Sequence, residues 1–307
     1  MNRLQKAFYS IKFKASFLEK NGDEFQKFFS EIMSKCHPGD FIPTRPWGRL
    51  GDNKNDGYLK SQRTLFQVYA PLEMASSGGI RKAINKINGD FKEALPHWEM
   101  YFDKWVFVHN CKNGLLPTPI VEEILKLQNE NSNIKMSHLG YEELKQKIFT
   151  LNSENLDDLF GVAPSDEDMN ELEFKEIIPV ISHIKIMRVP NQTKIEPVSK
   201  EKLKFNELST DVESLLKLGM RKSPLVEKYF DQCQDAKLGD NVADIFNKKY
   251  QSLKADGLSP DDIFTELQKF AGGWKRKEPR HEAAVLAVLA HLFTFCDIFE
   301  NPPVIKQ

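Results

Sequence analysis

Cysteine is scarce. The 307 residues contain four, Cys36, Cys111, Cys233 and Cys296, far apart and without CxxC spacing. That excludes a disulfide framework and a zinc knuckle, and it points to a reducing compartment. Long apolar runs are missing too. Lysines interrupt the opening MNRLQKAFYSIKFKASFLEKNG, which therefore offers neither a signal-peptide core nor a membrane span. The run AAVLAVLAHLFTF is too short to span, carries His291, and reads as a buried core helix. A cytoplasmic protein with no membrane contact is expected. The seven histidines form no HExxH and no tight pair in sequence, and there is no Walker A loop, GxSxG or dinucleotide fingerprint. Zincin chemistry, ATP hydrolysis by this polypeptide and triad hydrolysis are thereby set aside.

Charge of one sign is also lacking overall, with a net value of −1. It is unevenly divided, however: residues 1–150 hold 22 basic against 17 acidic side chains, and the remainder 21 against 27. The basic excess in front permits nucleic-acid contact there, although a few extra lysines also serve solubility.

The length favours two domains, each able to bury its own core. Apolar residues recur at helical spacing from Arg3 to Cys36, with a break at Asn21-Gly22. From Phe41 to Pro71 turn residues alternate with short β-prone runs, LFQVYA being the clearest strand. A helix follows from about Ile80 to Phe102. Strands at Trp105–His109 and Ile134–His138 then alternate with helices at 118–128 and 141–149, the first with Pro119 in its first turn. This order predicts an α/β domain over residues 1–151: a small mixed sheet, antiparallel at its start and parallel at its end, flanked by helices. Residues 152–204 read as an acidic linker with partial helix. Helices at 209–218, 224–232, 238–253, 260–270 and 281–299 predict an all-α bundle over 205–307.

Chemistry concentrates in GDNKNDGYLKSQRTLFQVYAP. Asp56 lies in a turn-rich strand, and the next strand presents Gln67 and Tyr69 on one side. One carboxylate and a second oxygen donor from an adjacent strand can hold a Mg²⁺ that activates water and neutralises phosphate charge. Taken alone, Asp52 and Asp56 would be turn residues capping local backbone. Arg45, Trp47 and Arg49 offer either a phosphate-and-base-stacking patch or a loop packed over a sheet edge.

This arrangement resembles the PD-(D/E)XK nuclease superfamily, in particular its Mrr-like branch, over most of residues 1–150. The resemblance implies a restriction-endonuclease-like fold with Asp56 as metal-binding aspartate, Gln67 as second ligand and the Val68 carbonyl as backbone ligand. Glu24 would approach from the opening helices. Tyr69 stands where the superfamily has a lysine, and a phenol with a pKa of about 10 supplies no fixed positive charge at neutral pH. Lys54 or Lys60 would have to reach in from the hairpin. An active nuclease and a degenerate binding domain therefore both stay open.

The second half, with KFNELSTDVESLLKLGMRKSPLVEKYF and the closing AVLAVLAHLFTFCDIFE, looks like the C-terminal helical domain of bacterial ABC three-component systems, over about 205–300. That likeness implies an effector subunit in anti-phage or anti-plasmid defence, tethered to an ABC/SMC-like ATPase, with a small middle component in some systems. The alternative is a non-catalytic adaptor that binds nucleic acid or protein in the same kind of complex. A stand-alone Mrr-like enzyme is less well served, since the acidic second half has no DNA-reading module. The apolar residues of the last helix are too many for one stripe, so it is expected to be buried nearly all round. Met220, Arg221 and Lys222 form either a docking corner or a solvated turn. Cys296 and Asp297 read as core and C-terminal turn.

Overall fold

The computed structural model describes residues 1–44, 55–112, 114–185, 201–235, 237–274, 278–295 and 298–300. Arg45, Trp47, Arg49, Asp52, Lys54, Cys296 and Asp297 lie outside the described residues. Packing divides the chain into two units, Phe13–Leu159 and Met1–Lys12 with Phe160–Gln307.

The first unit is built on a five-stranded mixed sheet of order β1-β2-β3-β4-β5, with β1 Phe41–Pro43, β2 Gly57–Leu59, β3 Thr64–Tyr69, β4 Lys104–His109 and β5 Lys135–Leu139. The first two pairings are antiparallel and the last two parallel. The short link between β2 and β3 closes a hairpin. By contrast, α3 (Ser77–Trp98) and α4 (Thr118–Glu130) supply the crossovers that parallel neighbours need. Side-chain alternation assigns the faces. Leu65, Trp105, Phe107 and Met136 pack with Ala83, Ile87 and Phe91 of α3 and Ile120 and Ile124 of α4. On the other face, Phe66 meets Phe29 of α2 (Gly22–Cys36) and Phe41 of β1, with ring centroids 5.4 and 6.0 Å apart. Gly57 is required there, because a Cβ on it would lie 2.3 Å from the Phe41 ring. Helix α5 (Tyr141–Ile148) also covers this face, beside the latter half of α1 (Arg3–Glu19), whose Phe13 packs tilted and Phe17 edge-on against Tyr141. The sequence-derived mixed sheet flanked by helices is thus present.

The second unit is helical among its described residues. Of the segment expected as a linker, α6 (Ser153–Phe160) falls in the first unit up to Leu159, whereas α7 (Asp166–Asn170) and α8 (Phe174–Lys185) belong to the second, and α9 (Glu201–Phe205) stands at the segment's end. Ser165 caps α7 through a reciprocal box with Asp168. Ile177, Val180, Ile181 and Ile184 of α8 are buried. Then follow α10 (Thr210–Met220), α11 (Ser223–Gln232), α12 (Leu238–Ala255), α13 (Pro260–Phe270) and α14 (Pro279–Thr294). Ser209 and Ser259 serve as N-caps of α10 and α13, and Pro260 occupies the first helical position.

Helix α14 is the axis of this unit. Every residue from His281 to Phe293 is buried, as its unstriped apolar sequence implies. Helix α10 crosses it closely at Gly219, where a Cβ would stand 2.2 Å from the Leu286 carbonyl oxygen. At the C-terminal end of α14, Lys202, fully buried, donates from Nζ to the Phe293 oxygen at 3.0 Å and to the oxygen of Ile298, beyond the helix, at 2.8 Å. A cation there also complements the negative end of the helix dipole. Toward its other end, Glu282 accepts from Lys12 Nζ at 3.3 Å and from the Trp274 backbone N–H at 2.6 Å. Lys12 additionally sits 4.0 Å over the Trp274 ring. Burial outweighs the attraction of Glu282 and brings the Lys12 pKa down to about 7.

Candidate functional site

In α/β sheets ligands favour the carboxyl ends of parallel strands. Here those ends bring together Tyr69 of β3 and the Ala70 that follows it with His109 of β4 and the Asn110 that follows it, beside the start of α2. The Gly22 N–H donates to the Ala70 oxygen at 2.7 Å. Asn110 Nδ2 donates to the Lys20 carbonyl at 3.1 Å and to Asn21 Oδ1 at 3.2 Å. Asn55, Asp56, Gln67, His109 and Asn110 are all buried in this region.

Asp56 stands just before β2 and uses both carboxylate oxygens. Oδ1 accepts from Gln26 Nε2 at 2.5 Å, and Oδ2 from the Val68 N–H at 2.6 Å. Its own N–H donates to the Phe66 oxygen at 2.8 Å. In an extended strand the N–H and C=O of one residue point to the same side, so the Val68 carbonyl opens toward Asp56. Asp56 and Val68 are therefore together. Gln67 lies between Leu65 and Tyr69 on the face covered by α3 and α4, with Oε1 buried and without a hydrogen-bond partner among the described residues. Leaving such an acceptor unsatisfied costs about 1–3 kcal/mol. Tyr69 is half-buried, its ring 6.4 Å from that of Phe107. Glu24 is exposed in the first turn of α2, and Gln26 is the residue of that helix that reaches Asp56. Lys60 is exposed at the far end of β2 from Asp56.

A Mg²⁺ here would draw on the Asp56 carboxylate and the Val68 carbonyl, and its remaining positions would fall to water. The unpartnered Gln67 oxygen suits such a cation chemically, but it projects from the opposite face of β3 to the α2 side, where Gln26 holds Asp56. No group of three or more His, Cys, Asp or Glu able to hold a metal occurs among the described residues. The fit is thus partial.

One pair escapes the sequence. His109 Nε2 lies 3.4 Å from His138 Nδ1 across the parallel β4 and β5 strands. The Cys111 N–H donates to His109 Nδ1 at 3.3 Å, which assigns the proton of the neutral ring to Nε2 and directs it at His138. Burial holds His109 neutral, its pKa lowered to about 3, with His138 adding to the shift. Both strand runs end in histidine, which was the available signal, but only the register brings the two rings together. In the helical unit, the Met220–Lys222 corner is already engaged: Arg221 pairs with Asp166, and Lys222 Nζ donates to the Asn170 oxygen at 2.9 Å.

The chain accordingly joins an α/β sheet unit to an all-helical unit organised around one buried helix. Residues 175–300 match the family of C-terminal domain 10 of the ABC-three component (ABC-3C) systems. The match starts at α8, about thirty residues before the Phe205 expected from the sequence, in keeping with the burial of α8. It supports a component of an ABC three-component system, working with the other components of that system. No curated protein and no solved structure matches the chain. No helix among the described residues is long and apolar enough to cross a membrane.

Proposed function

We propose that this chain is the effector-bearing component of a prokaryotic ABC-3C defence assembly. Its helical unit tethers it to an ABC/SMC-like ATPase, in some systems with a small middle component, and its α/β unit is the payload that meets nucleic acid. The family match over 175–300 carries this proposal. The basic excess of the first 150 residues supports nucleic acid as the target of the payload.

For the α/β unit, whose helix-flanked mixed sheet suits a restriction-endonuclease-like fold, the geometry best supports a binding domain that has given up hydrolysis. The Asp56 carboxylate is committed to Gln26 and to the Val68 N–H, Glu24 faces solvent, and Tyr69 occupies the lysine position. Metal-dependent phosphodiester cleavage is the second reading, favoured by the unpartnered Gln67 Oε1 and by the Val68 carbonyl opening toward Asp56. In that case the Asp56 carboxylate and the Val68 carbonyl would hold the ion, and Gln67 and Tyr69, on the face covered by α3 and α4, would join them as second ligand and water-orienting group only after a rearrangement of β3.

Plasmid incubation with Mg²⁺ or Mn²⁺, with and without the ATPase, separates the two. The expected result is retarded migration of DNA without nicking, unchanged in Asp56→Asn. Metal-dependent cleavage that Asp56→Asn abolishes would establish the nuclease instead.

A further inference from the structure

The helical unit has a cleft of its own. Helices α11, α12 and α14 enclose a cleft of about 160 Å³. Its rim carries Glu227 and Asp231 from α11 and Asp240 from α12, all exposed. None of the three forms an ion pair among the described residues, and no lysine or arginine lines the cleft. Phe230 and Phe295 form part of its wall, and their ring centroids lie 5.5 and 4.5 Å from that of His291.

His291 is the independent pointer to a ligand. It is only 7 % exposed, it lines the cleft, and its Nδ1 lies 3.2 Å from Ser223 Oγ. Its other nitrogen, Nε2, has no hydrogen-bond partner among the described residues. In the tautomer that donates from Nδ1 to the Ser223 hydroxyl, Nε2 presents a lone pair and asks for a donor. Burial brings the His291 pKa down to about 4, against smaller raising effects from Ser223 and Asp231, so the ring adds no positive charge at neutral pH.

Unpaired carboxylates at the mouth, aromatic surface on the wall and a neutral acceptor within together describe a receptor for an organic cation. The volume suits one guanidinium head with part of its stem. We infer that this cleft receives an arginine side chain from a basic segment of another protein component of the same system. This rests on the tethering role proposed above. The carboxylates stand on exposed helix surface at the mouth of the cleft, which suits a side chain presented by a docked protein. The acidic balance of residues 151–307 draws a basic partner in the same direction.

The test uses the full chain and two readouts. In the first, N-acetyl-arginine methylamide is titrated against protein carrying ¹³C-labelled histidine, and the His291 Cε1–H resonance is followed by NMR. A saturable shift in the millimolar range is expected, weakened at least fivefold in Asp231→Asn/Asp240→Asn and absent with N-acetyl-glutamate methylamide. No saturable shift, or an equal one in the double variant, overturns the cleft as a cation receptor. In the second, the other components of the system are titrated with wild type and with the double variant, whose melting behaviour is checked beside wild type. At least tenfold weaker assembly of the variant is expected. Wild-type assembly with the variant within twofold of it overturns the arginine anchor and leaves the tether standing. Failure of wild type to assemble overturns the tether itself and with it the assignment of the partner.

Discussion

At the scale of single residues, Asp56 and His109 show how buried polar groups near strand ends are tied into the structure around them. Asp56 satisfies the Val68 N–H and holds Gln26 against the sheet. Asp56→Ala should therefore cost about 2–3 kcal/mol, since it leaves a buried donor unpaired, whereas Asp56→Asn keeps an acceptor and should cost about half as much. Urea denaturation of both variants checks this, and equal stability of Asp56→Ala and wild type would show that the contacts contribute little. His109 carries a pH signature. Its folded pKa of about 3 lies below the ordinary histidine value of 6.5, so between the two the unfolded chain binds a proton that the folded chain does not. The stability it contributes is complete above pH 6.5 and is lost as pH falls toward 3. His109→Gln should flatten the fall in stability of the α/β unit over that window relative to wild type. Parallel wild-type and variant curves would contradict the burial of the neutral ring.

At the scale of elements, close contact and buried charge fix the helical unit. Gly219→Ala gains helix propensity worth about 1 kcal/mol in isolation. Because its Cβ would meet the Leu286 carbonyl, the α10–α14 crossing must open, and a net loss of about 1–2 kcal/mol is expected from overpacking. A lower thermal midpoint checks the sign, and a raised one would refute the close crossing. Lys12→Ala should cost about 3 kcal/mol, because it leaves Glu282 buried without its cation. Restoration by Lys12→Arg, measured by denaturant melts, distinguishes lost charge from lost packing.

How far these elements were legible follows from their physics. Strands of β-branched and aromatic residues, such as β3 and β4, declare themselves through composition and length. Helix α14 declares itself by being apolar all round, and α13 by its Ser259-Pro260 start. The packed part of 152–204 was not legible as such. Its acidic composition conceals the fact that Ile177, Val180, Ile181 and Ile184 share one buried face of α8. Lys202 was invisible for a related reason, since a lysine in a polar stretch reads as solvated until the carbonyls it caps are in place. At the strand ends, Asp56 and Gln67 were legible as candidates. Their division between opposite faces of β3, the role of Gln26 and the His109–His138 pair depend on side-chain direction and register, which the local pattern does not carry.

At the scale of the whole molecule, the chain combines a basic front and an acidic back, and its first twelve residues belong to the helical unit. Helix α1 is continuous from Arg3 to Glu19 and so contributes residues to both units. A payload at one end and a docking domain at the other would account for both the charge division and the family match. The most direct test is hydrogen–deuterium exchange of the full chain with and without the ABC-type ATPase of its own system. Protection concentrated in residues 175–300, with the amides of β3 and β4 unchanged, is the expected result. Protection confined to residues 13–159, or none at saturating ATPase, would contradict the assignment of the helical unit as the tether.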